Sequence, residues 1–185
     1  MIKNKSQKVI ENERLKLRPV SLDDVTDEYA SWLNDPEVNQ FLEVRFQHHT
    51  LEVVRDFVEK TLSDSGSEFF AIIRKDINKF IGTIKLGPIN NIHHFADMSI
   101  VIGDRASWGK GYASEAISLF TDYAFENLKM HKIFAGLYAE NIGSFKAFLK
   151  AGYHEEFRSK NQYLIDGKRF TDRIVLTKFN DSYEV

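Results

Sequence analysis

The segment WGKGY at residues 108–112 follows an apolar run, HFADMSIVIG at 94–103, and precedes apolar residues at 113, 116, 117, 120, 124 and 128. The run reads as a strand that stops at Gly103, and the spacing beyond the glycines predicts a helix over 113–128. A strand, a glycine turn and an amphipathic helix in that order place the chain among α/β proteins.

The flanking sequence extends the pattern. RLKLRPV (14–20) alternates and reads as a strand. SLDDVTDEYASWLND predicts a helix capped by Ser21, with Asp23 and Asp24 in its first turn and a stop at Asn34-Asp35-Pro36. TLEVVRDFVEKTL (50–62) predicts a second helix, capped by Thr50. SEFFAIIRK (67–75), FIGTIKLGPI (80–89) and KIFAGLYA (132–139) read as strands. NIGSFKAFLKAG (141–152) predicts a helix with Asn141 as N-cap and Gly152 just past its end. Two long strands around Asp166-Gly167 form a hairpin signal at the C-terminal end. The order is β-α-α-β-β-β-α-β-α-β-β, a mixed α/β fold. There is no internal repeat, low-complexity tract or linker, so one domain over residues 1–185 is the simpler organisation.

Composition removes several classes of function. The absence of cysteine excludes disulfides, thiolate zinc sites and cysteine nucleophiles together. A net charge of −2 gives no general electrostatic grip on nucleic acid. The polar start MIKNKSQKVIENERLK has no apolar signal core, and no apolar run is long enough to span a bilayer, so the expected location is cytoplasmic. His48-His49 and His93-His94 are adjacent pairs; neighbours on a strand point to opposite faces, so neither pair makes a metal site by itself. No metal is expected.

Gly109 and Gly111 let the backbone take positive φ and let a ligand approach closely, and free N–H groups at a helix start attract anions. Lys110 adds a charge. The loop therefore reads either as a phosphate cradle or as a plain glycine turn. A Walker A loop is excluded, because Gly109-Lys110 is followed by Gly111 and the earlier glycine position holds Asp104. A dinucleotide fingerprint fails at Ser114, where its last glycine belongs.

A second motif distinguishes the two readings. Asn141-x-x-Ser144 followed by FLKAGY, ending at Gly152-Tyr153, stands one strand further along. With Trp108-Gly109-Lys110-Gly111-Tyr112-Ala113, it resembles the GNAT acyltransferase superfamily, whose phosphate loop reads [QR]-x-x-G-x-[GA]. Gly111 and Ala113 match, and Trp108 replaces the usual Gln or Arg. WGKGYASEA as a whole is similar to the Rim-type branch, named for ribosomal-protein N-terminal acetyltransferases. The resemblance runs from Arg14 to Phe179.

The resemblance implies a mostly antiparallel sheet flanked by helices, with splayed central strands, and acetyl-CoA as acyl donor. Its pyrophosphate would sit on the N–H groups of Gly109 to Ser114, a stretch that includes Lys110, Tyr112 and Ala113. Trp108 would be a wall of the loop or a packing residue. Ile100, Val101 and Ile102 match positions whose backbone pairs with pantetheine, and Asn141 would add a contact to its N-cap role. An amine would attack the thioester directly, since no cysteine offers an acyl-enzyme route. Many relatives carry a tyrosine seven positions after the asparagine; here Phe148 stands there and cannot donate. Ser144 is the implied proton donor to the departing thiol, or else a first-turn serine satisfying the backbone. Asp97, a carboxylate on an apolar strand, is the leading base, with a salt bridge to Arg173 as the other reading. Glu140 and one of His93 and His94 are lesser candidates.

The acceptor pocket implied by this fold is lined by residues 33–49 and by RSKNQYLIDGKRF in the last hairpin. Its mixed charge does not specify the amine: a protein N-terminus, or a small amine such as a nucleotide-linked amino sugar, a polyamine, an amino acid or an aminoglycoside. The partners implied are acetyl-CoA and an amine acceptor, with no nucleic acid and no membrane, and a homodimer is left open. The competing function is a non-catalytic acyl-CoA sensor, which Phe148 keeps alive and which Asp97 and Ser144 together oppose.

Overall fold

The computed structural model describes residues 8–165 and 167–184; Asp166 of the expected hairpin turn lies outside them. Eight strands form one sheet in the order β1-β2-β3-β4-β5-β6-β8-β7. They are β1 (Ile10–Glu11), β2 (Leu15–Pro19), β3 (Glu68–Arg74), β4 (Lys79–Asn90), β5 (Phe95–Ile102), β6 (Lys132–Tyr138), β7 (His154–Ile165) and β8 (Arg169–Phe179). All neighbours pair antiparallel except β5 and β6, which run parallel. The helices are α1 (Asp27–Asn34), α2 (Pro36–Asn39), α3 (Leu51–Ser63), α4 (Tyr112–Glu126) and α5 (Ile142–Lys150). Among the described residues no helix is long and apolar enough to cross a membrane.

Strand alternation gives the sheet two buried faces. One carries Phe70, Ile72, Ile84, Met98, Ile133 and Leu176, packed against Ala116, Ile117 and Phe120 of α4 and Phe148 of α5. The other carries Phe69, Ala71 and Ile73 under Tyr29, Trp32 and Leu33 of α1 and Val54 and Val58 of α3. Asp97, Ser99 and Val101 share a face of β5, opposite Ala96 and Met98.

Three local expectations change. The first helix does not run from Ser21: a single 3-10 turn covers Leu22–Asp24, Val25 leaves helical geometry, and Thr26 caps α1 by accepting from the Tyr29 N–H at 3.2 Å. Asp24 is drawn instead to Arg18, at 2.5 and 2.7 Å, which fixes the break. Pro36 starts a helix as well as following one, since Asp35 caps α2 and proline is at home in a first turn. The central helix spans Tyr112–Glu126, so Leu128 of the expected stripe lies beyond its end.

Candidate active site

The sheet forks at its centre. β5 meets β6 through three residue pairs, Phe95 with Lys132, Ala96 with Ile133 and Asp97 with Phe134. Beyond Asp97, β5 continues along β4 while β6 continues along β8. A cavity of about 670 Å³ lies in the fork. Ile100, Val101 and Ile102 form one wall, Asn141 and Ser144 another, and Trp108, Gly109, Gly111, Tyr112, Ala113 and Ser114 close its outer end. The expected donor-binding residues are thus brought together, with Lys110 inside the same loop.

Gly109 and Gly111 hold φ of 71° and 84°, the left-handed region that glycine enters without strain. Gly111 is the N-cap of α4 and brings no capping side chain. The first intrahelical bond runs from the Glu115 N–H to Gly111 O, so the N–H groups of residues 109–114 have no partner among the described residues. Six consecutive free donors at the positive end of a 15-residue helix suit a phosphate. Ser114 turns its hydroxyl away, donating to Gly111 O at 2.8 Å. Trp108 is a wall and not core: it is 39% exposed, and its indole N–H donates to Ile102 O at 2.8 Å.

Two cations not singled out in the sequence serve this loop. Arg14 donates from Nη2 to Lys110 O at 2.8 Å, and its guanidinium lies 4.5 Å from the Tyr112 ring centroid. Lys150 brings Nζ to 3.8 Å from the point where a Gly111 Cβ would stand. Lys146 also lines the cavity. The spacing of Lys146 and Lys150, four apart on the helix that carries Asn141, was the available signal.

On the opposite wall, Asn141 caps α5 by accepting from the Ser144 N–H at 3.1 Å. The Ser144 hydroxyl itself has no partner among the described residues, so the backbone-satisfying reading of this serine does not describe it. Phe148 is 1% exposed and packs edge-on against Tyr153, with ring centroids 5.0 Å apart. Tyr153 is also buried and bonded to Thr121 at 2.7 Å; burial pushes its hydroxyl far up, so it does not replace the missing tyrosine as a donor.

Asp97 stands at the fork's vertex, the last β5 residue that pairs with β6. Burial pushes its carboxyl up to about 6, against Arg173, Lys85 and the Met98 N–H, which favour the charged form. No cation comes within ion-pair distance of Asp97 among the described residues, so the Arg173 salt bridge does not form. Arg173 instead lies flat across Gly136 of β6: an added Cβ there would meet its Nε and Nη2 at 2.7 Å. Its Nε is buried without a hydrogen-bond partner among the described residues. Gly136 in the interior of KIFAGLY was the sequence signal for such a close approach.

The lesser candidates lie elsewhere or are engaged. Glu140 accepts from Thr171 and, at 2.8 Å, from Arg169, and these partners hold its carboxyl below the usual range. His93 and His94 precede β5 at the end away from the fork, about 20 Å from Ile100 at strand rise. Among the described residues no group of three His, Asp or Glu side chains gathers to hold a metal.

A second cavity, about 290 Å³, lies on the α1/α3 face of the sheet. Its walls include Leu42, Ile100 and Val101, which also line the fork, so the two spaces adjoin there. The segment 33–49 contributes Leu33, Leu42, Glu43, Val44, Gln47 and His49 to this cavity. Among the described residues the last hairpin contributes none to this lining, while Val53, Val54 and Phe57 of α3 and Phe69 of β3 do. The hairpin only braces the segment from outside, with Leu164 O accepting from Arg45 at 3.0 Å. His49 is 4% exposed, with Nε2 2.8 Å from Val44 O, which ties its ring to the segment's own backbone.

A forked sheet with a bare-amide loop at the fork's mouth defines an acyl-CoA-dependent transferase. Residues 14–154 match the family model described as an acetyltransferase (GNAT) domain, and the chain belongs to that family. It is an N-acetyltransferase, with acetyl-CoA as its acyl donor. The uncharacterized N-acetyltransferase p20 of Bacillus licheniformis is 32% identical, over 86% of this chain and 92% of that relative. The probable N-acetyltransferase YjcK of Bacillus subtilis is 29% identical, over 95% and 99%. The solved spermidine N-acetyltransferase of Vibrio cholerae, in complex with CoA and spermine, superposes with a TM-score of 0.82 over 93% of this chain and 99% of that one. At 24% identity this last likeness is one of fold.

Proposed function

We propose that the chain moves an acetyl group from acetyl-CoA to a primary amine by direct attack, with Asp97 as base and Ser144 as proton donor to the thiol. The observation that carries this reading is the position of Asp97 at the vertex of the fork, on the strand whose outer end leads to the loop. The loop N–H groups of residues 109–114, with Arg14 and Lys150 beside them, hold the pyrophosphate. The free edge of β5 at Ile100, Val101 and Ile102 receives the pantetheine and directs the thioester inward.

The amine must be neutral to attack. Asp97 takes its proton, directly or through one water, as the N–C bond forms. A backbone N–H on the unpaired edge of β5 steadies the negative charge that develops on the carbonyl oxygen. As the C–S bond breaks, the Ser144 hydroxyl, with no partner among the described residues, gives the thiolate a proton and regains one from water.

The finer branch assignment, Rim-type, rests on Trp108 in the loop, Ser144 on α5 and Phe148 in place of tyrosine. The reading is tested by thiol release from acetyl-CoA over a panel of amines, beside calorimetric binding of CoA. Turnover with any amine supports it; CoA binding without turnover on any amine favours the sensor function instead.

A further inference from the structure

The cavity on the α1/α3 face shares Leu42, Ile100 and Val101 with the cavity in the fork, so the two border the same stretch of β5. Its walls are mostly carbon, from Leu33, Val53, Val54, Phe57, Phe69 and Val101. Glu43 is the sole carboxylate among the lining residues, and Lys85 brings an opposing cation. Glu43 is already engaged: it accepts from the Tyr138 hydroxyl, and Arg45 stands 4.0 Å away.

A polyamine presents several ammonium groups, and each one drawn out of water needs a carboxylate or carbonyl partner. This cavity offers no surplus of negative charge, and Lys85 repels a second cation. Its volume, about 290 Å³, falls just below the usual range of small-molecule sites, roughly 300–1,000 Å³. Building on the acetyltransferase reading, we infer that the acceptor is a small monoamine with a compact apolar body. The body fills the space between α3 and the sheet, and the single amino group points along β5 toward Asp97.

The test is kcat/KM for phenethylamine, isoamylamine, cadaverine, spermidine and a dipeptide with N-terminal leucine. The two apolar monoamines should lead the two polycations by about 10-fold or more, the discrimination an apolar pocket delivers. Val53 is 37% exposed at the cavity's edge, so Val53→Phe narrows the space without disturbing the core. It should raise KM for phenethylamine about 10-fold and leave KM for acetyl-CoA unchanged. Lys85→Glu should shift the preference toward cadaverine. Preference for spermidine or cadaverine by the unaltered protein overturns the inference while leaving an acetyltransferase. Turnover of the dipeptide alone overturns it in favour of a peptide acceptor. Bound acetyl-CoA with no thiol release on any amine overturns this inference and the catalytic reading together.

Discussion

An added Cβ on Gly136 would stand 2.7 Å from both Nε and Nη2 of Arg173, so the guanidinium occupies the space a larger residue on β6 would claim. The atoms in the way are the far end of a flexible side chain. Gly136→Ala should therefore move Arg173 and leave the backbone in place. Arg173 favours the charged form of Asp97, so its displacement raises the carboxyl further. The acid limb of the kcat/KM profile should move to higher pH in Gly136→Ala. A limb that stays where it is in the wild type would disconnect Arg173 from Asp97.

Asp97 sets activity against stability. Burial holds its carboxyl at about 6 in the folded chain, above the 3.8 of an ordinary aspartate. The folded state keeps the proton longer, so stability declines as pH rises through that window and does not recover above it. Asp97→Asn removes the decline. At about pH 7.5 the variant should melt at or above the wild-type temperature, while kcat/KM drops about 100-fold or more and its acid limb disappears. A thermal melt and a pH–rate profile on the same preparation check both halves.

Gly111→Val tests the loop. A β-branched residue at a φ of 84° is strained, by roughly 1–2 kcal/mol for the left-handed region, and its side chain stands beside Lys150. Calorimetry should show CoA affinity reduced by about 10-fold or more, the equivalent of ~1.4 kcal/mol. Undiminished affinity would mean that the loop does not hold the donor.

Asn141, the N-cap of α5, and Ser144, in its first turn, are separable in their effects. Ser144→Ala removes a hydroxyl with no partner among the described residues, so thermal stability and CoA affinity should hold while kcat falls. Asn141→Ala removes the bond to the Ser144 N–H and should cost about 1 kcal/mol of stability, the usual worth of a cap. Equal kcat in Ser144→Ala and the wild type would take the serine out of the chemistry.

These residues differ in how openly the sequence displays them. Asp97 is legible as a charge on an apolar strand, and the loop is legible because glycine alone enters its left-handed backbone without strain. Asn141 and Gly152 mark their helix by local capping alone. Arg173 over Gly136 is a different kind of fact. It depends on the register of β6 against β8, which places Val175 beside Gly136 and Arg173 beside Tyr138, and no local pattern encodes that register. Lys85 enters the second cavity for a similar reason, its pairing with Ser99 across β4 and β5. The break between Leu22–Asp24 and α1 was hidden because the Arg18–Asp24 ion pair, a contact outside the helix, overrides a good helical stripe. The share of α3 in the second cavity was hidden because the depth of α3 against β3 is a packing result, seen in the 5.8 Å approach of the Phe57 and Phe69 rings.

Three residue pairs are all that join β1–β5 to the β6-β8-β7 group through the sheet. The protein is thus two leaves sharing a short seam, and the seam ends where the donor is proposed to lie. A molecule that lies along β5 and touches α5 stitches the leaves together, and its binding energy appears as mechanical cohesion. Hydrogen exchange on the free edge of β5 and on the first turn of α5 should slow in concert when CoA is added. Ile100 and Val101 border both cavities, so a donor laid along β5 would also brace a wall of the proposed amine site.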